Sequence, residues 1–216
     1  MEYILSKFSH ELRNPLTTVY STVQLIEMQH PEVKDFKYWS NLAHDLEYMD
    51  RLLTELSDFA KSERLHMSTF SFRALLEQIS LSFAATIADS EVEYTSKISP
   101  SLQQITGDKT KLQEVFLNLL KNAYEASSPD KTIYLEASCD EEHIYVSIHD
   151  TGCGISPEQL PNIFEPFVTY KKNGSGLGLA ICNNIVHAHG GNISVESKPD
   201  AGTSFRVCLP ICCKSL

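Results

Sequence analysis

A helical hairpin followed by a mixed α+β layer domain is the fold that this sequence predicts. The apolar residues of 1–66 recur at steps of three and four, the mark of helices packed along a seam. From about residue 67 that period gives way to short alternating runs separated by single helical stretches. The 216 residues, 42% hydrophobic and 21% charged, are enough for a sizeable core and for one or two domains.

In the first part Ile4, Phe8, Leu12, Leu16, Val19, Val23 and Ile26 form one apolar series. A break follows at 29–32, where Pro31 disfavours helix for the residue before it. The series resumes with Phe36, Trp39, Leu42, Leu46, Met49, Leu53, Leu56 and Ala60. Two helices alone make a hairpin with one sticky face, and pairing two hairpins into a four-helix bundle buries that face. A homodimer is therefore expected. In the second part 72–83 reads as a helix and 92–98 as a strand. Asp108 caps a helix running through Ala126. Strands follow at 132–138 and 143–149, then a helix at 176–189 closed by Gly190-Gly191. The last strands, 192–197 and 203–209, are joined by the turn 198–202. The expected division is 1–66 and 67–216.

Lys plus Arg total 18 against 28 Asp plus Glu, a formal net charge of −10. Both parts are acidic, with 7 basic against 11 acidic residues in 1–66 and 11 against 17 in 67–216. Such a surface repels phosphate backbones and excludes a nucleic-acid reader, so any phosphate ligand needs a local cluster of donors. No run of about 18 apolar residues spans a membrane. The opening Met1-Glu2-Tyr3-Ile4-Leu5 lacks the basic end and apolar run of a signal peptide, and the helical pattern is already under way there. The expectation is a cytoplasmic piece of a longer protein whose sensory or membrane-anchoring region lies upstream. Cysteines 139, 153, 182, 208, 212 and 213 show no C-x-x-C spacing and read as reduced thiols, with palmitoylation of Cys212-Cys213 the lesser reading.

Six stretches carry chemistry. At 100° per residue His10 lies about 200° from both Phe8 and Leu12, off the apolar seam and exposed. Glu11 beside it is placed to accept a ring proton, leaving the other nitrogen as nucleophile. Asn14, one turn on, shares the face of His10 and can position a water. Pro15 removes the hydrogen bond that Glu11 O would otherwise accept, a bend costing about 3 kcal/mol. Asn118 and Asn122, four apart, stack two amide oxygens on one helix face, a donor set suited to Mg²⁺. Asp150-Thr151-Gly152-Cys153-Gly154 sets a carboxylate acceptor for an amine beside a backbone thin enough for a flat ring. Phe164 and Phe167 are placed to pin a loop whose Lys171 and Lys172 face a phosphate. The segment Gly174-Ser175-Gly176-Leu177-Gly178 runs into a helix, and its N–H groups make an anion cradle. Thr203 adds a hydroxyl to the ring site.

In this order and spacing the motifs resemble the catalytic core of the bacterial sensor histidine kinases. Nearly the whole chain is covered: an H-box around His10, an N-box at Asn118 and Asn122, a G1 box at 150–154, an F-box at 164–167 and a G2 box at 174–178. Within that family the H-box Ser9-His10-Glu11-Leu12-Arg13-Asn14-Pro15-Leu16 is similar to the sporulation kinases of spore-forming Firmicutes, the B type among them. The resemblance implies that 1–66 is the dimerisation and histidine-phosphotransfer domain. It implies that 67–216 is an α/β sandwich ATP-binding domain of the Bergerat (GHKL) type. It makes His10 the phosphoacceptor, Glu11 its base, and Asn14 the residue used to dephosphorylate the partner regulator. Asn122 would hold Mg²⁺ with Asn118 assisting, and Asp150 and Thr203 would recognise adenine, with Gly152 and Gly154 letting it approach. Lys171 and the backbone of Gly174, Gly176, Leu177 and Gly178 would contact the phosphates of ATP, under a lid spanning about 163–175. A response-regulator receiver domain is the implied partner, and a small inhibitor protein on the hairpin is a further one. Many members carry another basic residue just after the second Asn of the N-box. Here Tyr124-Glu125 follow, and Lys121 is left without a role. The stretch 66–69 is the expected hinge.

Three other readings compete. Conformational ATPases with the same nucleotide pocket place a catalytic Glu where Asn118 stands. A pseudokinase scaffold would bind nucleotide without transfer. A metal site on His187 and His189 is disfavoured because residues two apart on a helix diverge.

Overall fold

The computed structural model describes residues 2–171 and 174–211, with positions 2–6, 8 and 10 described by their backbone alone. The chain divides into two compact units, Met1–Lys61 and Ser62–Leu216. In chain order the elements are α1 (Glu2–Gln29), α2 (Trp39–Lys61), β1 (Ser68–Ser71), α3 (Phe72–Thr86), β2 (Glu93–Ile98), β3 (Gln104–Gly107) and α4 (Lys109–Ala126), then β4 (Thr132–Cys139), β5 (His143–Asp150), α5 (Gly178–Ala188), β6 (Asn192–Lys198) and β7 (Gly202–Pro210).

The first unit is the hairpin of α1 and α2, joined by a 3₁₀ turn at Pro31–Asp35. Pro31 opens that turn, where a missing N–H is no loss. The apolar series of each helix divides into two stripes. Leu16 and Val23 of α1 pack with Leu46 and Leu53 of α2, and Trp39 lies against them. Leu12, Val19, Leu42 and Met49, each seven from its stripe-mate, stay 40%, 46%, 40% and 50% exposed. A step of three or four alternates between two sides of a bundle helix, so the single seam expected from the sequence is two. Arg13 Nη2 donates to Thr54 Oγ1 at 2.9 Å and Trp39 Nε1 donates to Glu27 Oε1 at 2.7 Å, which sets the register of the two helices.

The second unit is a five-stranded sheet in the order β2-β4-β5-β7-β6, with β2 parallel to β4 and the other neighbours antiparallel. Ile133, Leu135, Ile144, Val146, Ile148, Phe205 and Val207 point to the buried face, which α3, α4 and α5 cover. The alternating residues Tyr134 and Glu136 are exposed on the other. Two strands were not anticipated. β1 and β3 form a separate antiparallel pair of four residues each, too short for alternation to show. Helix α5 begins at Gly178 rather than 176, because Gly176 has φ +73° and a left-handed residue cannot continue a helix. It closes as expected: Gly190 N–H donates to His187 O and Gly191 N–H to Val186 O. Cys139, Cys153, Cys182 and Cys208 are free, and burial pushes the Cys182 thiol up to about 12. Among the described residues no helix is long and apolar enough to cross a membrane.

The stretch 66–69, expected as a hinge, is fastened to the second unit. His66 N–H donates to Asp108 Oδ2 at 2.8 Å, and Ser68 and Thr69 pair with Gly107 and Thr106 in the β1–β3 ladder. Further upstream, Asn184 Nδ2 donates to Ser62 Oγ at 3.0 Å. The anchor point, Asp108, is itself held by a buried histidine. Asp108 N–H donates to His189 Nε2 at 2.9 Å, and His189 Nδ1 donates to Ile185 O at 2.7 Å. These bonds fix the neutral ring with its proton on Nδ1. Burial holds His189 below the ordinary histidine value, with the Ile185 bond and the Asp108 charge pulling the other way. A depressed folded-state value means that the unfolded chain binds the proton more tightly. The stability His189 contributes is therefore present above the unfolded value of 6.5 and is lost as pH falls through the folded one. The unfolding midpoint of the chain is expected to fall between pH 7.5 and 5.5, followed by circular dichroism. In His189→Gln that part of the slope should vanish.

Candidate functional site

Helix α4 supplies the first wall of the site. Asp108 caps it by accepting Lys111 N–H at 3.0 Å. Its apolar stripe of Leu112, Val115, Phe116, Leu119, Leu120 and Ala123 is buried, which fixes the helix's rotation. Asn118 and Asn122, one turn apart, are left half-buried on another face. A Cβ built on Gly178 would stand 3.8 Å from Asn118 Oδ1, so the start of α5 lies beside the N-box face. Leu177, 2% exposed, roots that start in the core, and its N–H already donates to Ser175 Oγ at 3.1 Å. Phe167 N–H donates to Gly176 O at 3.1 Å, and a Cβ on Gly176 would stand 2.6 Å from the Phe167 carbonyl carbon. Gly174 N–H donates to Lys171 O at 3.2 Å.

Lys171 reaches from this loop to α4. Its Nζ donates to Asn122 Oδ1 at 2.8 Å and is paired with the Glu125 carboxylate. Asn122 Oδ1 thus already holds a cation, so the position suits the Mg²⁺ expected there: a hard oxygen beside an anionic one. Glu125 was not among the anticipated site residues. Its signal in the sequence is its place three residues after Asn122, on the same side of α4.

The second wall is the end of the sheet. Asp150, the last residue of β5, pairs with Thr203 of β7. Their closeness depends on Gly202, where a Cβ would lie 1.9 Å from Asp150 O. Asp150 is 2% exposed, and its Oδ1 accepts Gly152 N–H at 2.9 Å. Burial pushes its carboxyl above the ordinary carboxylate range, while the Gly152 and Thr203 N–H bonds and the charges of His149 and Lys171 draw it back. Ser197 Oγ donates to Gly202 O at 2.9 Å, so in the 2.9 Å Thr203–Ser197 contact the Thr203 hydroxyl is the donor. Ser197 therefore orients the Thr203 hydroxyl, a contact the sequence did not signal. Gly152 and Gly154 are dictated by packing on their Cβ side: a Cβ would lie 2.3 Å from Ala126 O at the first and 2.1 Å from Lys198 O at the second. The turn after β5 is clamped between the end of α4 and the end of β6.

The paired phenylalanines behave differently from each other. Phe164 meets Phe205 edge to face at 6.3 Å and pins its end of the loop. Phe167 is 62% exposed with φ +67°, so it does not act as a second pin. On α1, Glu11 and Asn14 are exposed, Glu11 lying 3.9 Å from Lys7. His10 lies on α1, and its side chain falls outside the described residues, as do Lys172, Cys212 and Cys213. His187 is exposed while both ring nitrogens of His189 are engaged in the core, which removes the metal reading of that pair.

Comparison with known proteins identifies the family. Residues 1–65 match the His Kinase A (phospho-acceptor) domain, and residues 107–212 match the histidine kinase-, DNA gyrase B-, and HSP90-like ATPase family. Sporulation kinase C of Bacillus subtilis (strain 168) is 32% identical over 94% of this chain and 47% of its own length. Sporulation kinase B of the same strain is 31% identical over 96% of this chain and 49% of its own. The crystal structure of full-length ShkA in complex with AMPPNP superposes with a TM-score of 0.83 at 26% identity, covering 100% of this chain and 47% of that one. The chain spans about half the length of these curated relatives. With both of these domain matches in order along the chain, and sporulation kinases C and B matched over 94% and 96% of it, the chain belongs to the sensor histidine kinase family.

Proposed function

We propose that this chain is the core of an ATP-dependent protein-histidine kinase that phosphorylates itself on His10. The observation carrying this reading is the convergence of Asn118, Asn122, Lys171 and the start of α5 on one side of α4, with the buried Asp150–Thr203 pair on the same unit. Asp150 accepts the adenine amine, and Thr203, held by Ser197, completes the ring site. The first turn of α5 and Lys171 take the phosphates. Asn122, assisted by Asn118, holds Mg²⁺, which when bound neutralises phosphate charge. A ring nitrogen of neutral His10 forms a bond to the γ-phosphorus as the bond to the bridging oxygen of ADP breaks, and Glu11 takes the ring proton. Positioning supplies most of the acceleration, because the reaction asks little covalent help of the protein. The phosphoryl group then passes to an Asp of a response-regulator receiver domain, and Asn14 positions the water that later hydrolyses it.

The exposed stripe of Leu12, Val19, Leu42 and Met49 supports a homodimer through the hairpin, since a second copy buries it in a four-helix bundle. Leu12→Glu with Met49→Glu is expected to give a monomer by light scattering. An unchanged dimer would put the interface elsewhere. Matches to sporulation kinases C and B support a place in a sporulation-type phosphorelay. Because the chain is tied to the second unit from Ser62 onward, the movement that brings nucleotide to His10 is assigned to the segment before Ser62.

Incubation with γ-labelled Mg-ATP tests the reading. Protein-bound label that survives base and is lost in acid is the expected phosphohistidine. Steady hydrolysis with no labelled protein would favour a conformational ATPase.

A further inference from the structure

We infer that Glu125 is a second oxygen ligand of the divalent-cation site on α4, and that the ammonium of Lys171 is its exchangeable place-holder. The inference rests on the nucleotide reading above and concerns how that site is loaded.

Two oxygens, Asn122 Oδ1 and a Glu125 carboxylate oxygen, converge on one cation, the Nζ of Lys171, with the Asn122 contact at 2.8 Å. The helix sets this up, because residues three apart share a face and Asn122 and Glu125 project from one turn of α4. Lys171 arrives from a loop whose backbone bonds there are local: its N–H donates to Thr169 Oγ1 and its carbonyl accepts Gly174 N–H. Its long-range partners are the two α4 side chains. A neutral amide oxygen next to a carboxylate is the donor set of a hard divalent cation. A doubly charged ion outbids an ammonium for it, because the attraction of Glu125 scales with the charge it faces. The carboxylate is 39% exposed and the Lys171 side chain 48%, so exchange needs no unfolding. Once displaced, Lys171 carries its charge from Glu125 to the neighbouring phosphates. Metal loading and phosphate contact become one event. A basic residue at position 125 could not do this, since it would repel both Lys171 and the metal.

Calorimetric titration of AMPPNP over a range of Mg²⁺ concentrations, with ADP in parallel, reads the exchange without any catalytic turnover. In Glu125→Gln the Mg²⁺ needed for half-maximal AMPPNP binding should rise about fivefold, the scale of one partly exposed carboxylate. Glu125→Asp should recover part of it. In Lys171→Gln the Mg²⁺ requirement should fall, because the nearer of the two ammonium groups on Glu125 is gone and Lys121 Nζ stands 3.9 Å away, while AMPPNP affinity at saturating Mg²⁺ drops about fivefold and that for ADP changes less. Opposite shifts from the two variants are the signature of exchange. Shifts in the same direction, or an unchanged Mg²⁺ requirement in Glu125→Gln, would overturn it. A wild-type chain that bound neither AMPPNP nor ADP would instead remove the nucleotide reading on which the inference rests.

Discussion

Asp150→Asn is expected to weaken nucleotide binding sharply without weakening the fold. The carboxyl is buried and its affinity for protons is raised, so the folded chain holds a proton there more tightly than the unfolded chain does. A raised value means that the protonated side chain contributes stability below the unfolded value of 3.8, and that this is lost as pH rises through the folded value. At neutral pH the ionised group is therefore a cost that the fold carries for another purpose. Asparagine removes that cost and keeps one oxygen to accept from the Gly152 and Thr203 N–H groups, so the melting temperature should stay close to that of the wild type. Binding should go the other way. Hydrogen bonds to a charged acceptor are worth about 1.5–3 kcal/mol, and exchanging one for an amide should weaken AMPPNP binding by about tenfold to a hundredfold. Calorimetry and thermal melting on the same sample check both halves. A variant that lost stability and binding together would mark Asp150 as merely structural.

Asn122→Ala should remove Mg²⁺-supported labelling by about two orders of magnitude, the usual consequence of deleting one group that stabilises transition-state charge. Stability should be nearly unaffected. Asn122 is half-buried, its contact with Lys171 lies at the surface, and alanine is the better helix former by a few tenths of a kcal/mol. The comparison that matters is labelling rate at saturating ATP and Mg²⁺ against thermal midpoint. Unchanged turnover and nucleotide affinity would remove Asn122 from the metal site.

The elements that were legible in the sequence are those whose pattern is local and long. α4 announces itself by its Asp108 cap and its buried stripe, and β4, β5 and β7 by strict alternation over eight or nine residues. The four-residue strands β1 and β3 do not, because their pairing joins residues 33 to 39 apart in sequence and each run is shorter than the period needs. The division of the hairpin's apolar series into an inner and an outer stripe follows from a rotation that step counting alone does not distinguish. At the site, Asp150, Thr203, Asn118 and Asn122 were legible as types suited to their chemistry, and the structure sets the first two side by side. The contacts that the sequence hid are those made across distance: Asp108 with His189, Ser62 with Asn184, and Lys171 with Glu125. Each joins residues that carry no pattern until the backbone has brought them together. Phe167 shows the converse, a hydrophobic residue whose type suggested an anchor and whose left-handed backbone turns it outward.

In the proposed reaction His10 receives the phosphoryl group from a nucleotide bound to the second unit. The most direct test follows labelling by γ-labelled Mg-ATP and binding of AMPPNP together in the wild type and in His10→Gln. His10→Gln should bind AMPPNP as the wild type does and carry no acid-labile label. Normal acid-labile labelling of His10→Gln would contradict it.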